Sequence, residues 1–223
     1  MDDLPAVWRA TNFVFNQAGV AEMTLEQFRA EFCLPFTLFY DRYIPHVALA
    51  QLETWFHGHF RQVQDSVVEL PHAREFLLYC RKCGLRTFLL STVHPDHFAA
   101  QIARNRFEEF LERPYLGIHD KRAKIHEILE ENRLAPRETI FVGDMQHDIE
   151  TARHGGVFSC AVLTGYNSLA QLRAVKPDLI VEHLGELQTI LEQNLWTPSL
   201  SLTSKCSARS ASPKPSAPSR NGS

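Results

Sequence analysis

Residues 139–152 read TIFVGDMQHDIETA, and this stretch decides the fold class. It contains a short apolar run, a Gly143-Asp144 turn and a helical segment, and a second apolar run follows at 157–163. A strand, a turn, a helix and another strand in this order are typical of a βαβ unit, in which the two strands run parallel. The stretch therefore predicts an α/β fold built on a parallel sheet.

Two aspartates are spaced so that they share one face of the predicted helix. Asp144 stands at the carboxyl end of the strand, and Asp148 follows four residues later, one helical turn away. Mg²⁺ takes oxygen ligands and is commonly held by one or two carboxylates together with water and substrate phosphate. The alternative is a Gly-Asp turn that caps an acidic helix, because aspartate is favoured at both places. We predict a metal site at Asp144 and Asp148.

Strands and helices alternate between about residue 67 and residue 192. The predicted helices are 72–83, 95–105, 121–133, 146–154, 168–174 and 183–192, and the predicted strands are 85–91, 139–142, 157–163 and 178–181, with an extended piece near 115–119. This alternation implies a parallel sheet covered by helices. Residues 1–66 show apolar residues at helical spacing and no strand-like alternation, so an all-helical segment is expected there.

Composition limits the classes of protein and partner. The chain of 223 residues is 44% hydrophobic and 22% charged, as in ordinary globular proteins. Residues 198–223 contain nine Ser, four Pro and no acidic residue, which predicts a disordered tail. The net charge of −3 divides into +4 for this tail and −7 for residues 1–197, and an acidic body argues against nucleic acid as a partner.

The sequence also suggests where the protein acts. No apolar run approaches the roughly 20 residues of a membrane span, and the amino terminus lacks the basic and apolar regions of a signal peptide. The five cysteines show no disulfide framework spacing. A cytoplasmic protein without a membrane partner, as a monomer or a homodimer, is the expectation.

Residues 141–157, FVGDMQHDIETARHGGV, resemble the fourth motif of the haloacid dehalogenase-like hydrolase superfamily. The span 67–192 as a whole resembles the phosphoglycolate phosphatase-like branch of that superfamily. The resemblance implies a Rossmann-like α/β core over residues 67–197 and a helical cap over residues 1–66. It also implies a Mg²⁺ cofactor and a small phosphorylated substrate.

The resemblance assigns further residues to the site. Ser91, in RTFLLSTVHPDHF (86–98), matches the second motif and would hold the phosphoryl group, with Thr92 as a neighbouring phosphate-binding residue and competitor. Lys121, in GIHDKRAKIHEIL (117–129), matches the third motif and would offset the negative charge of phosphate and carboxylates. Lys124 is the alternative lysine. Each residue also has a purely structural alternative role. Ser91 would then be a turn residue that ends a strand, and Lys121 a solvated lysine at the start of a helix.

The histidines favour structural or solvated roles. His57 and His59 are two residues apart and point to different faces of a helix. His94 and His97 flank the start of a helix, which Pro95 explains, and His147 lies on another face of the helix from the acidic pair.

One motif of the superfamily is not found in the sequence. Its members begin with a strand that ends in Asp-x-Asp, where the first aspartate forms an aspartyl-phosphate and the second acts as general acid and base. The 223 residues contain no Asp-x-Asp. Asp2-Asp3-Leu4-Pro5 resembles the segment just after that strand, and Asp41 lies in the presumed cap without a second aspartate two positions on.

In related structures this strand is the centre of the sheet, so we expect the first, central strand to be missing. Each buried backbone group left unpaired costs about 1–3 kcal/mol. A mis-assigned start codon, a truncated chain or a degenerate protein would each explain this, and the first is preferred because the other motifs are intact. The implied function is Mg²⁺-dependent hydrolysis of a small, phosphoglycolate-like phosphate monoester by the full-length protein. The alternatives are a non-catalytic binding protein, or a mutase or dehalogenase of the same superfamily.

Overall fold

The structure, a computed structural model, describes residues 1–194. The predicted tail at 198–223 lies outside the described residues. Among residues 1–194, no helix is long and apolar enough to cross a membrane.

The amino-terminal part is helical, as predicted. It consists of α1 (Leu4–Gln17), α2 (Leu25–Glu31), α3 (Phe36–Tyr43) and α4 (Leu49–Val63), and a 3-10 turn at Gln64–Ser66 follows. A capping box sets the start of α2. The Thr24 hydroxyl accepts the Gln27 N–H at 3.1 Å, and the Gln27 side chain accepts the Thr24 N–H at 2.9 Å.

Aromatic residues fill the space between these helices. The side chains of Phe15, Phe28 and Phe39 are fully buried, and the Phe39 ring centre lies 5.9 Å from that of Phe15 and 5.8 Å from that of Phe28. Burial of such side chains stabilises each by about 1.5–3 kcal/mol relative to exposure. Met145, the residue after Asp144, belongs to the same cluster. The helical part therefore packs directly on the turn that carries the predicted site.

From residue 73 onward helices alternate with short strands. The elements are α5 (Ala73–Lys82), β1 (Phe88–Leu90), α6 (Pro95–Asn105), β2 (Arg113–Tyr115), α7 (Ile125–Glu131), β3 (Ile140–Gly143), α8 (Gln146–Gly155), β4 (Phe158–Val162), α9 (Leu169–Ala174), β5 (Leu179–Val181) and α10 (Leu184–Gln193).

Three predicted elements differ from those observed by more than one residue at an end. The predicted strand 85–91 is shortened to three residues, and the predicted helix 121–133 is divided into a 3-10 turn at Lys121–Ala123 and α7. The turn is tight because the Asp120 carboxylate accepts the Arg122 N–H at 3.0 Å, while the Lys121 N–H is directed to the side chain of His147. The predicted extended piece near 115–119 is wrong in position, because β2 covers Arg113–Tyr115 and shares only Tyr115 with it.

The five strands found within residues 1–194 all pair in parallel, as the alternation predicted, but they form two separate sheets. One sheet consists of β1 and β2, and the other has the order β3-β4-β5, with Val142 opposite Cys160 and Cys160 opposite Leu179. Within residues 1–194, β1 and β3 therefore each have one edge without a strand partner. Both strands line the same cavity, which has a volume of about 1550 Å³.

Candidate active site

The predicted acidic pair lies at the carboxyl end of β3 and is held there by close packing against two glycines. A Cβ atom on Gly143 would lie 2.3 Å from Cβ of Asp148. A Cβ atom on Gly165 would lie 1.8 Å from Oδ2 of Asp144. Any side chain at either glycine would displace an aspartate, so glycine is required here for space.

Asp148 forms a buried ion pair with Lys121. The Nζ atom of Lys121 lies 2.7 Å from Oδ1 of Asp148, and both side chains are about nine-tenths or more buried, with 11% and 3% of their surfaces exposed. The other oxygen, Oδ2, accepts the backbone N–H groups of Asp144 at 3.2 Å and Met145 at 3.1 Å. Both oxygens of Asp148 thus have protein donors, and this carboxylate fixes the turn and the lysine together.

Asp144 is in a different electrostatic situation. Its Oδ2 accepts the backbone N–H of Tyr166 at 2.7 Å, and its side chain faces the cavity. Burial and the neighbouring charge of Asp148 raise the pKa of Asp144 to about 6, although Lys121 acts in the opposite direction. A raised pKa means that the negative charge of this carboxylate is incompletely compensated by the protein. A bound cation would supply the missing compensation.

Sequence reasoning missed Tyr166, whose backbone N–H contacts this carboxylate, and Arg29, which holds the loop that carries Tyr166. The Tyr166 hydroxyl donates a hydrogen bond to Oδ1 of Asp3 at 3.1 Å, and burial raises the pKa of both side chains. Arg29 of α2 donates to the carbonyls of Gly165 and Tyr166 at 3.0 and 2.9 Å. These contacts join positions about 140–160 residues apart in the chain, so no local pattern could have indicated them.

The structure distinguishes between the two candidate lysines by position. Lys121 is buried against Asp148, whereas Lys124 pairs with Glu127 on the surface of α7. His147 helps to place Lys121, because its Nε2 accepts the Lys121 backbone N–H at 3.1 Å. Burial and the Lys121 charge lower the pKa of His147, so its ring stays neutral and acts as an acceptor.

The phosphate-binding candidates stand at the end of β1. The Ser91 hydroxyl accepts the Val93 N–H at 3.1 Å, which holds the chain in a tight turn directly after the strand. The cavity is lined by the full set of predicted site residues, namely Ser91, Thr92, Lys121, Asp144 and Asp148. Residues from three separate segments of the sequence therefore surround one space.

The carboxylates at the cavity are the groups that could bind Mg²⁺. Across residues 1–194, no group of three or more His, Cys, Asp or Glu side chains stands ready to enclose a metal ion. Mg²⁺ does not need such a cage, since it is often held by one or two carboxylates, with water and phosphate completing the octahedron. The carboxylate of Asp144 fits that pattern, and Asp148 would orient the turn that presents it.

The chain is similar to known proteins in both sequence and structure. A family model described as "Haloacid dehalogenase-like hydrolase" matches residues 1–162. A phosphoglycolate phosphatase from Synechococcus elongatus is 26% identical over 138 residues, which cover 60% of this chain and 65% of that protein. A 5'-nucleotidase from Pseudomonas aeruginosa is 30% identical over 114 residues, which cover 48% of this chain and 52% of that protein. The matched regions thus span between about half and two thirds of these relatives.

Solved structures agree in fold. The crystal structure of a predicted phosphoglycolate phosphatase from Haemophilus somnus superposes with a TM-score of 0.72 at 16% sequence identity, and covers 84% of this chain and 91% of that one. Identity at this level shows that the two chains share a fold. It does not by itself carry over an activity.

Proposed function

The chain belongs to the haloacid dehalogenase-like hydrolase family, and from this premise we propose that it forms the phosphate-handling part of a Mg²⁺-dependent phosphatase. Its relatives by sequence and structure include phosphoglycolate phosphatases. The observation that carries the proposal is the convergence of Ser91, Thr92, Lys121 and Asp144 on one cavity. These residues provide the hydroxyl, ammonium and carboxylate groups that a phosphate monoester and its metal ion require.

Each side chain has a defined task in this proposal. Ser91 and Thr92 offer hydroxyl donors to the phosphoryl oxygens at the end of β1. Lys121 is held by Asp148 and places a fixed positive charge at the cavity wall, where charge develops during phosphoryl transfer. Bound Mg²⁺ would polarise the phosphoryl group. Asp144 would contribute a carboxylate ligand to that ion.

The division of the sheet between β1 and β3 supports a second part of the proposal, which is a further strand between them. The Thr87 carbonyl accepts a hydrogen bond from the segment leading into β2, and the Thr139 carbonyl accepts one from the first residue of β4. Alternate residues of a parallel strand bond to opposite neighbours. The backbone groups of Leu90 and Val142 are thereby directed to the edges without a partner, where both residues line the cavity.

We infer that a strand from outside residues 1–194 lies between β1 and β3 in the working enzyme. It would complete one continuous parallel sheet and would satisfy the backbone groups at both edges. By family resemblance this strand would carry the Asp-x-Asp pair, with its first aspartate as the nucleophile. The carboxyl end of such a strand lies beside Asp144 and Ser91, because both follow the carboxyl ends of flanking strands.

The substrate proposed is a small phosphate monoester resembling phosphoglycolate. The curated relative from Synechococcus elongatus carries that activity in its name. Residues of α1, α3 and α4 line the cavity, and Phe56 and Glu53 of α4 are among them. A helical cover of this kind would exclude water when it closes and would select for substrate size.

The decisive assay is hydrolysis of p-nitrophenyl phosphate with and without Mg²⁺. It should compare the 223-residue chain with the polypeptide translated from any in-frame upstream start codon. We expect Mg²⁺-dependent turnover only where the Asp-x-Asp strand is present, and its loss in Asp144→Ala. Lys124→Ala is the matched control, because Lys124 lies on the surface, and it should retain activity. An extended protein without turnover, or one that is indifferent to Asp144→Ala, would contradict the proposal and favour a non-catalytic binding protein.

Hydrogen exchange tests the missing strand separately from activity. The amides of Leu90 and Val142 should exchange rapidly in the 223-residue chain and slowly once the additional strand is present, because they then gain hydrogen-bond partners. Amides of β4, which has a partner on both sides, serve as the internal reference. Equal protection in both proteins would exclude the inserted strand.

A further inference from the structure

The loop between β4 and α9, residues 163–168, is bonded to the turn that carries Asp144. The Tyr166 N–H donates to Oδ2 of Asp144 at 2.7 Å, and the Asn167 N–H donates to the Asp144 carbonyl at 3.1 Å. The side-chain oxygen of Asn167 accepts the Gln146 N–H at 2.7 Å. The position of the 163–168 loop therefore determines which donors reach the Asp144 carboxylate.

A second set of contacts joins the 163–168 loop to α2 of the helical cover. The Nε atom of Arg29 donates to the Tyr166 carbonyl at 2.9 Å, and its Nη2 atom donates to the Gly165 carbonyl at 3.0 Å. The Phe32 ring, directly after α2, lies 5.5 Å from the Tyr166 ring between centres. The loop thus contacts Asp144 and the helical cover at the same time.

One peptide group connects the guanidinium to the carboxylate. The Gly165 carbonyl and the Tyr166 N–H belong to the same trans peptide, so they point in opposite directions. Arg29 is bonded to the carbonyl and Asp144 to the N–H. The peptide dipole is therefore aligned between a positive and a negative charge, and each hydrogen bond polarises the group in favour of the other.

We propose that Arg29 is a positioning residue for Asp144 and acts through the Gly165–Tyr166 peptide. Its planar guanidinium holds two consecutive carbonyls, which fixes the orientation of the peptide as well as its place. The Tyr166 N–H is then kept on Oδ2, and this bond sets the rotation of the carboxylate and the direction of its other oxygen. The proposal rests on the proposed function only in that Asp144 is the carboxylate that would bind Mg²⁺.

Close packing makes Asp144 sensitive to this peptide. A Cβ atom on Gly165 would lie 1.8 Å from Oδ2 of Asp144, so the backbone cannot move closer to the carboxylate. Movement away lengthens the Tyr166 hydrogen bond. Arg29 holds the same peptide at its opposite end, and its loss would let the peptide turn.

The attachment of α2 to the α/β part does not depend on the Arg29 side chain alone. The Gln171 side chain of α9 donates to the main-chain carbonyls of Arg29 and Ala30 at 3.3 and 3.2 Å. These bonds use the backbone of α2, so they remain when the guanidinium is removed. Replacing Arg29 should therefore loosen the Gly165–Tyr166 peptide while α2 keeps its place.

Hydrogen exchange of the Tyr166 amide in the 223-residue chain tests the proposal. Arg29→Met keeps the apolar stem and removes the donors, and it should speed exchange at Tyr166 by roughly tenfold or more, as expected for the loss of a charge-assisted hydrogen bond. Arg29→Lys keeps the charge without the planar fork and should have a smaller effect. The amides of β4 should exchange as in the wild type, which separates a local change from global destabilisation.

A double substitution shows whether Arg29 acts on Asp144. In Asp144→Ala the Tyr166 N–H has already lost its carboxylate acceptor. Adding Arg29→Met to that variant should therefore change Tyr166 exchange little. A purely structural role would instead give the same acceleration with and without Asp144.

Arg42→Met is the matched control. Arg42 is an exposed arginine of α3 that donates to the Glu31 carbonyl at 2.6 Å, within the helical cover. Its replacement should leave Tyr166 exchange unchanged. The proposal is overturned if Arg29→Met exchanges at Tyr166 like the wild type, if Arg42→Met has an equal effect, or if the β4 amides accelerate as much.

Binding of Mn²⁺, a paramagnetic substitute for Mg²⁺, measures the consequence at the proposed metal site by electron paramagnetic resonance. Arg29→Met should weaken Mn²⁺ binding by about tenfold, as for other residues that orient a metal ligand, and Arg42→Met should not. Unchanged Mn²⁺ affinity in Arg29→Met would also overturn the proposal. A wild-type chain that binds no Mn²⁺ would instead contradict the proposed function, and the exchange rates, which need neither metal nor substrate, would still decide the role of Arg29.

Discussion

Replacing Asp148 by asparagine tests the central arrangement of the site through stability alone. The carboxylate accepts Lys121 Nζ on one oxygen and two backbone N–H groups on the other. An amide has only one acceptor oxygen. If it faces the backbone, its NH₂ group faces the Lys121 ammonium, and two donors meet in a buried place. If it flips, the N–H groups of Asp144 and Met145 lose their acceptor.

The expected magnitude follows from burial. Lys121 and Asp148 are 9% and 2% exposed, so the ammonium cannot recover its lost partner from bulk water. Breaking one half of a buried pair typically costs about 3–5 kcal/mol, and Asp148→Asn should lower the free energy of unfolding by about 3 kcal/mol. Lys121→Met in the Asp148→Asn background removes the opposed donor. The double variant should therefore be less destabilised than the sum of the single variants by about 2 kcal/mol.

Urea denaturation followed by circular dichroism measures all three variants, with Lys124→Met as the matched surface control. Lys124 pairs with Glu127 in an exposed i, i+3 arrangement, and its loss should cost less than about 1 kcal/mol. If Asp148→Asn costs no more than the control, or if the two substitutions are additive, then the Lys121–Asp148 pair does not organise this site.

Three further outcomes are expected. Gly165→Ala should destabilise the chain and weaken any Mg²⁺-dependent activity, because the new Cβ would lie 1.8 Å from Oδ2 of Asp144. Unchanged stability and activity would contradict this packing. Gly58→Ala should instead stabilise the chain by about 1 kcal/mol in urea denaturation, because alanine is the better helix former and nothing lies within 4 Å of its Cβ. A loss of stability would show that the added methyl group meets a neighbour of α4. The pKa of His97 is lowered to about 4, so the native state favours the neutral ring. The free energy of unfolding should therefore be at its full value above about pH 6.5. It should fall by up to about 3 kcal/mol as the pH is lowered from there to about pH 4. Denaturation curves in EDTA at several pH values measure this, and a His97→Phe variant with the same acid sensitivity would assign the loss to other groups.

The local parts of the fold could be predicted from sequence because their causes are local. The apolar runs beginning near Thr139 and at Val157 formed strands, and the helix over 95–105 was observed with those bounds. The Thr24 capping box likewise joins residues three positions apart. The apolar spacing that indicates the strands, and the hydrogen bonds of the helix and of the cap, involve residues only a few positions apart.

For the candidate site, the sequence could predict only which residues are candidates. Sequence spacing placed Asp144 and Asp148 one turn apart, and family resemblance added Ser91, Thr92 and Lys121. Neither the spacing nor the resemblance could show that both oxygens of Asp148 accept hydrogen bonds from protein donors, whereas the pKa of Asp144 is raised to about 6. That difference arises from burial and from neighbouring charges, which depend on distant segments.

The sequence by itself determined the parallel α/β class, the helical first segment and the glycine-aspartate turn, because periodicity and turn chemistry act over short distances. Only the tertiary structure decided that Lys121 rather than Lys124 reaches the acidic pair, and that Tyr166 joins Asp3 to Asp144. It also brought His57 from one helix against His97 of another. Such contacts are set by how whole elements pack, and packing brings together residues that no stretch of sequence places side by side.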